Sequence, residues 1–205
     1  MTFPAIILAG GKSQRMGEDK SLIEIEGKQM ILHIIENLKI AGCNDILIQT
    51  KQNRGELKSI LSDLDVMWNY DDSGEGDVLN AVLSALIFAE SKNWHAVQLM
   101  PVDTPFISKE LIKGLSNLLV GNLDVVLPSS NSKINTKFNS LEPLMACLKV
   151  ESSIKIIQKK INNKDNSLSK IFSEMNCLIV DEKVWTTWGV SEKSFKNINY
   201  PKDRE

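Results

Sequence analysis

At 205 residues the chain can bury one substantial core but is short for two, so a single domain over 1–205 is expected. With 42% hydrophobic and 24% charged residues, its composition excludes extensive disorder, collagen-like repeats and long coiled coils. Twenty-four Lys and Arg against 26 Asp and Glu leave a formal charge of -2, which offers no global positive field for nucleic acid; small phosphorylated ligands need only a local cluster of donors.

The first apolar run, Pro4 to Ala9, is too short for a signal-peptide core and stops at Gly10 and Gly11. No segment approaches the roughly 20 apolar residues that span a bilayer. A cytoplasmic location without a membrane partner is therefore expected. Runs with strand character follow at Ala5 to Leu8, Ile46 to Ile48, Val66 to Trp68, Ala96 to Met100 and Asp124 to Leu127. Between them, Met30 to Ala41 places Ile31, Ile34, Ile35 and Leu38 at helical spacing and stops at Gly42. Val78 to Ala89 repeats the pattern, and Ser108 is placed to cap a helix carrying Leu111, Ile112, Leu115 and Leu118.

Alternating strands and helices predict a doubly wound, Rossmann-like α/β domain with a mostly parallel central sheet. After Leu127 the order changes: Pro128 to Ser140 is rich in Ser, Asn and Lys and reads as a mobile loop. Leu144 to Leu148 returns to the sheet, followed by helices near Ser152 to Ile161 and Leu168 to Met175 and a short strand around Leu178 to Val180. Asn197 to Pro201 is loop-like, and Lys202 to Glu205 reads as a frayed end.

The most informative stretch runs from Leu8 to Lys20, beginning where a buried strand ends. Ligands of open α/β sheets bind outside strand carboxyl ends, and the pair Gly10-Gly11 lets backbone N–H groups approach an anion. Arg15 supplies a guanidinium for bidentate phosphate contact, and Lys20 a compact ammonium. Gly11-Lys12-Ser13 is not the end of a triphosphatase loop, because Ile6 stands where that loop needs Gly; the dinucleotide pattern Gly-x-Gly-x-x-Gly also fails. A second polar point follows another apolar strand at Asp103, in Val102-Asp103-Thr104-Pro105. By itself an Asp ahead of Thr-Pro reads as a turn.

Leu8-Ala9-Gly10-Gly11-Lys12-Ser13-Gln14-Arg15-Met16-Gly17-Glu18-Asp19-Lys20 resembles the signature of the molybdenum cofactor guanylyltransferases, Leu-Ala-Gly-Gly-x-Ser-x-Arg-Met-Gly-x-Asp-Lys. A looser form is shared by cytidylyltransferases and sugar-phosphate enzymes, but the Met-Gly-x-Asp-Lys ending favours the molybdenum group. The resemblance extends to Asp103 within the family's Asp-x-Pro, to Glu142-Pro143-Leu144-Met145-Ala146, and to Asn197-Ile198-Asn199-Tyr200-Pro201-Lys202-Asp203. The chain departs from the family at Gly76-Asp77-Val78-Leu79, where Gly-Pro-Leu-Ala-Gly is usual, around Gln49 and Thr50, where an Asn is usual, and at Tyr200 in place of Thr.

The resemblance implies that Leu8, Ala9, Gly10, Gly11 and Lys20 bind nucleotide, with Asp71 or Asp72 as a further nucleotide-site acid. It implies Arg15, Lys20 and Asp103 as the catalytic set, Asp103 as the ligand of Mg²⁺, and Asn197 and Asn199 as contacts to a pterin. The implied reaction is transfer of GMP from GTP to molybdopterin with release of pyrophosphate, and molybdoenzymes or cofactor-handling proteins are further implied partners. Two alternatives stand: transfer of another nucleotide, to the same cofactor or to a sugar or alcohol phosphate, and a non-catalytic nucleotide-binding protein that delivers cofactor.

Other features read as structural. His33 lies in an apolar helix and His95 beside a strand, without partners at ligand spacing. The basic stretch from Lys155 to Lys164 suits a solvated helix face, and Trp185 and Trp188 suit packing of the C-terminal segment. Cys43, Cys147 and Cys177, odd in number and widely spaced, read as reduced core thiols.

Overall fold

The computed structural model describes residues 3–10, 19–70, 78–130, 140–162 and 167–199. Its seven-stranded sheet is built from β1 (Ala5–Leu8), β4 (Ile46–Thr50), β5 (Met67–Tyr70), β6 (Ala96–Pro101), β7 (Val125–Pro128), β8 (Cys147–Lys149) and β9 (Cys177–Val180). β2 (Glu24–Ile25) and β3 (Lys28–Gln29) form a separate hairpin. The helices are α1 (Met30–Ala41), α2 (Gly55–Ile60), α3 (Val78–Ser91), α4 (Lys109–Leu118), α5 (Val150–Asn162), α6 (Leu168–Ser173) and α7 (Glu182–Trp185). None of the described helices is long and apolar enough to cross a membrane.

Strand residues alternate strictly between two cores, as a pleat with a period of two requires. Ala5, Ile7 and Ala9 enter one core with Ile46 and Ile48, against the apolar stripes of α1 and α4. Ile6 and Leu47 point the other way with Val97 and Leu99, against α3, α5 and α6. The continuous apolar runs seen in the sequence are therefore strands buried on both faces. Helix boundaries follow local chemistry: Gly42 closes α1 at φ 103, where its N–H reaches the carbonyls of Leu38 and Lys39, and the Ser108 hydroxyl accepts the Leu111 N–H to start α4.

The strand order is β5-β4-β1-β6-β8-β7-β9. β5, β4, β1 and β6 are mutually parallel, and β7 and β9 share their direction; β8 alone runs against its neighbours. The chain passes from β1 through α1 to β4 on one side, whereas β6, reached later through α3 on the opposite face, pairs with β1 on the other. The gap beyond Leu8 and Pro101 is thus the switch point of the sheet, where a crevice opens at the carboxyl ends.

Three elements depart from the sequence reading. The return at Leu144 to Leu148 is shorter: Pro143 to Met145 form a 3₁₀ turn and the strand is Cys147–Lys149, antiparallel to both neighbours, a direction the sequence reading left open. The β2–β3 hairpin turns through Glu26 at φ 51 and Gly27 at φ 76, a two-residue turn that an adjacent apolar run did not announce. The short helix α2 begins on Gly55, a poor helix former. Within the predicted loop, Ser129 bridges Leu141, while residues 131–139 lie outside the described residues. Trp185 is buried and donates its indole N–H to the Ser129 carbonyl at 3.0 Å, which meets the packing role expected of it. Trp188 packs against Gly114 of α4, and His33 hydrogen-bonds the Ile25 carbonyl through Nε2 at 2.8 Å.

Candidate active site

The crevice is built from short turns anchored to the ends of β1 and β6. Ala9 continues β1, its N–H donating to the Gln49 carbonyl at 2.8 Å and its carbonyl accepting the Thr50 hydroxyl at 3.1 Å. Both backbone groups of Ala9 serve the fold, so donors offered to an anion begin at Gly10. Across the gap, the Val102 N–H donates to the Leu8 carbonyl at 3.3 Å, carrying the chain to Asp103 just past the sheet. The buried Thr104 hydroxyl donates to the Pro101 carbonyl at 3.2 Å and fixes the turn that presents Asp103.

Lys20 reaches the same point from a separate, well-held turn. Asp19 caps the 3₁₀ turn Lys20–Leu22, accepting the Ser21 N–H at 3.1 Å and the buried Ser21 hydroxyl at 2.7 Å, and its other oxygen pairs with Arg54. Ile23, Ile25 and Met30 pack beneath it with Ile198 in a small separate core. From this base the Lys20 ammonium donates to Asp103 Oδ2 at 3.0 Å and to Asn199 Oδ1 at 2.6 Å. The Ile198 N–H donates to the Asp103 carbonyl at 2.9 Å, so the C-terminal segment is stitched to the Asp103 turn.

Residues separated by 83 and 179 positions in sequence therefore meet at one ammonium. Asn199, half-buried, is the member of the Asn pair that touches Lys20, whereas Asn197 is exposed. Leu8 and Gly10, both half-buried, line the start of the same crevice. Gly11, Arg15, Asp71 and Asp72 lie outside the described residues.

This arrangement pairs a phosphate-seeking cation with a hard oxygen donor at the switch point of a parallel sheet. A match to the MobA-like NTP transferase domain covers residues 5–176, and so spans β1, Lys20, Asp103 and most of the sheet. The chain belongs to that family. It is a nucleotidyltransferase. Similar proteins include a probable molybdenum cofactor guanylyltransferase of Natranaerobius thermophilus, 26% identical over 98% of this chain and 92% of the relative. A molybdenum cofactor guanylyltransferase of Shewanella sediminis is 25% identical over 98% and 93%. Among solved structures, the molybdopterin-guanine dinucleotide biosynthesis protein A of Archaeoglobus fulgidus is similar with TM-score 0.74, 19% identity and coverage of 98% and 95%. A 4-diphosphocytidyl-2C-methyl-D-erythritol synthase of Anaerococcus prevotii also gives 0.74, at 17% identity and coverage of 98% and 92%, so these structural likenesses establish the fold alone.

Two groups around the nucleotidyltransferase crevice had no role in the sequence reading. Arg54 was missed, because a lone Arg before a short helix carries no spacing signal; its partner Asp19 lay within the signature, and that acid was the available hint. Glu142 was noticed only as a neighbour of Pro143. In the fold its carboxyl is pushed above the ordinary 4.5, mainly by burial, with Asp103 adding to the shift and a hydrogen bond from Ser130 opposing it. Deeper in the sheet end, Asn69 donates to Gln49 Oε1 at 2.8 Å and to the Ser84 hydroxyl at 3.0 Å, which ties β5 and β4 to α3. Burial holds the Cys43 thiol at about 11 and that of Cys147 at about 12, as inert core thiols.

Proposed function

We propose that this nucleotidyltransferase moves GMP from GTP to molybdopterin. The observation that carries the reading is the meeting of Lys20 and Asp103 in one crevice, 3.0 Å apart at the exits of the signature loop and β6. The names of the curated relatives, matched over nearly their full length, support the choice of donor and acceptor.

In this reaction an oxygen of the terminal molybdopterin phosphate attacks the α-phosphorus of GTP. A new phosphorus–oxygen bond forms, the bond to the bridging oxygen of the β-phosphate breaks, and pyrophosphate leaves with that electron pair. The nucleophile is already anionic, so no strong base is required. Positioning and charge neutralisation carry such transfers. The Gly10 and Gly11 backbone, with Arg15 and Lys20, would hold the triphosphate, and Asp71 or Asp72 would complete the nucleotide site. Asn199, with Asn197 beside it in sequence, would meet the pterin side.

The residues present fit Mg²⁺. Asp103 offers a partly exposed carboxylate at the sheet exit, and no group of three or more His, Cys, Asp or Glu able to hold a metal occurs among the described residues. That donor set suits an ion ligated mostly by phosphate oxygens and water, with one or two protein carboxylates. When bound there, the ion would supply charge neutralisation at the α-phosphate and pyrophosphate oxygens.

Pyrophosphate release with molybdopterin as acceptor, measured with GTP, CTP, UTP and ATP in turn, tests the proposal. GTP should be preferred, and Asp103→Ala and Lys20→Ala should each lower turnover by about 10²–10³-fold, the loss usual for a group that stabilises transition-state charge. Preference for CTP would replace the guanylyl reading with a cytidylyl one. Turnover undiminished by both substitutions would defeat the site assignment, and binding of GTP without any turnover would favour the cofactor-delivery alternative.

A further inference from the structure

The contact between Lys20 and Asp103 joins two groups to which the proposed function gives different partners, phosphate and metal. We propose that Lys20 is a resident counter-cation for Asp103, which keeps the divalent-cation site closed until a nucleoside triphosphate draws the ammonium away. The inference rests on the reading of Asp103 as the metal carboxylate and adds an order of events to it.

Three features support the exchange. First, the ammonium donates to Asp103 Oδ2 at 3.0 Å and to Asn199 Oδ1 at 2.6 Å, so it is held by an anion and a neutral acceptor of the site itself. A divalent ion added at that carboxylate would face a unit positive charge a few ångströms away. Like charges that close repel even at the effective dielectric of a protein surface, so the two cations compete for Asp103. Second, the base of Lys20 is rigid while its stem is flexible. Asp19, Ser21 and Arg54 lock the turn, and a lysine's four-carbon stem lets the ammonium swing without moving that turn. Third, a second carboxyl stands near: Glu142 and Asp103 interact electrostatically, and the Lys20 ammonium 3.0 Å from Asp103 Oδ2 offsets that negative charge.

A triphosphate changes this balance, because its oxygens give Lys20 a new anionic partner and give the metal further ligands. Nucleotide and divalent cation should then bind with mutual dependence, each raising the affinity for the other by the same factor. Metal without nucleotide should bind weakly to the wild-type protein, and for an electrostatic reason: its seat is taken.

Mn²⁺ binding without nucleotide, followed by electron paramagnetic resonance, tests this without turnover. Lys20→Met should tighten Mn²⁺ binding by about tenfold, the scale of an ordinary coupling between sites. Lys20→Gln, which keeps a hydrogen-bond donor and removes the charge, should do the same and decides the matter if the Met variant does not fold. The gain should vanish in Lys20→Gln combined with Asp103→Asn. Mn²⁺ binding that is unchanged or weaker in the folded Lys20 variants would overturn the proposal. Failure of the underlying reading looks different: Asp103→Asn alone would then bind the Mn²⁺ complex of α,β-methylene GTP as tightly as wild type.

Discussion

One stretch of chain, residues 177–199, supplies the C-terminal packing layer and also one wall of the crevice, yet the two are held by opposite means. At the layer, Trp185 is buried against Phe195 with ring centroids 5.3 Å apart, and Trp188 covers α4 at Gly114. There apolar volume does the work, and one indole hydrogen bond orients it. Ten or so residues later, Ile198 and Asn199 join the crevice through a backbone hydrogen bond and an amide contact to a charged side chain. The difference teaches where damage will register: loss of volume should cost stability, and loss of a polar tip should cost chemistry.

Trp185→Ala puts the largest strain on that distinction. Removal of a fully buried indole is expected to cost about 3–5 kcal/mol in urea unfolding, while protein that remains folded keeps its nucleotide affinity. The reverse pattern, full stability with lost nucleotide binding, would break the comparison. Asp103→Ala should behave in the opposite sense, with turnover lost and the unfolding midpoint nearly unchanged.

A smaller effect is expected at Gly114. A Cβ built there would stand 2.2 Å from the Trp188 ring, so the ring must shift. Gly114→Ala should lose about 1 kcal/mol after the helix gains from alanine, with a change in tryptophan fluorescence and no change in nucleotide affinity.

The smallest effect sharpens the polar side. The folded Glu142 carboxyl holds its proton more tightly than the unfolded one, so the unfolded state ionises first and stability falls as pH rises from about 4.5 through the raised folded value. Glu142→Gln should therefore be slightly more stable than wild type at pH 7 in urea unfolding, and the margin should close as pH falls toward 4.5. A margin that widens in acid would show that Glu142 stabilises the fold as a carboxylate.

How much of this was legible in the sequence follows from the range of each cause. α1 was readable from end to end, because its apolar spacing and Gly42 are local signals. β1, β4 and β6 were readable because burial on both faces leaves largely apolar runs, and the half-buried edge strand β5 through its large apolar residues Met67 and Trp68. The reversal of β8 was not, since strand direction is decided by which neighbours remain to be paired, and no residue within Cys147–Lys149 encodes it. Within the crevice, Lys20 and Asp103 were legible through motif and position. That Asn199 and not Asn197 meets the ammonium required the fold, because Asn197 and Asn199 flank Ile198 alike in sequence and only the path of the chain past Lys20 separates them.

The reversed strand has a consequence of its own. A strand that runs with its neighbours meets the crevice at its finish, whereas β8 meets it at its beginning, so the 3₁₀ turn from Pro143 to Met145 forms part of the wall. Chain added ahead of Leu141 could then reshape that wall without changing the register of β7 and β8, which leaves acceptor choice open to variation at little expense to the sheet.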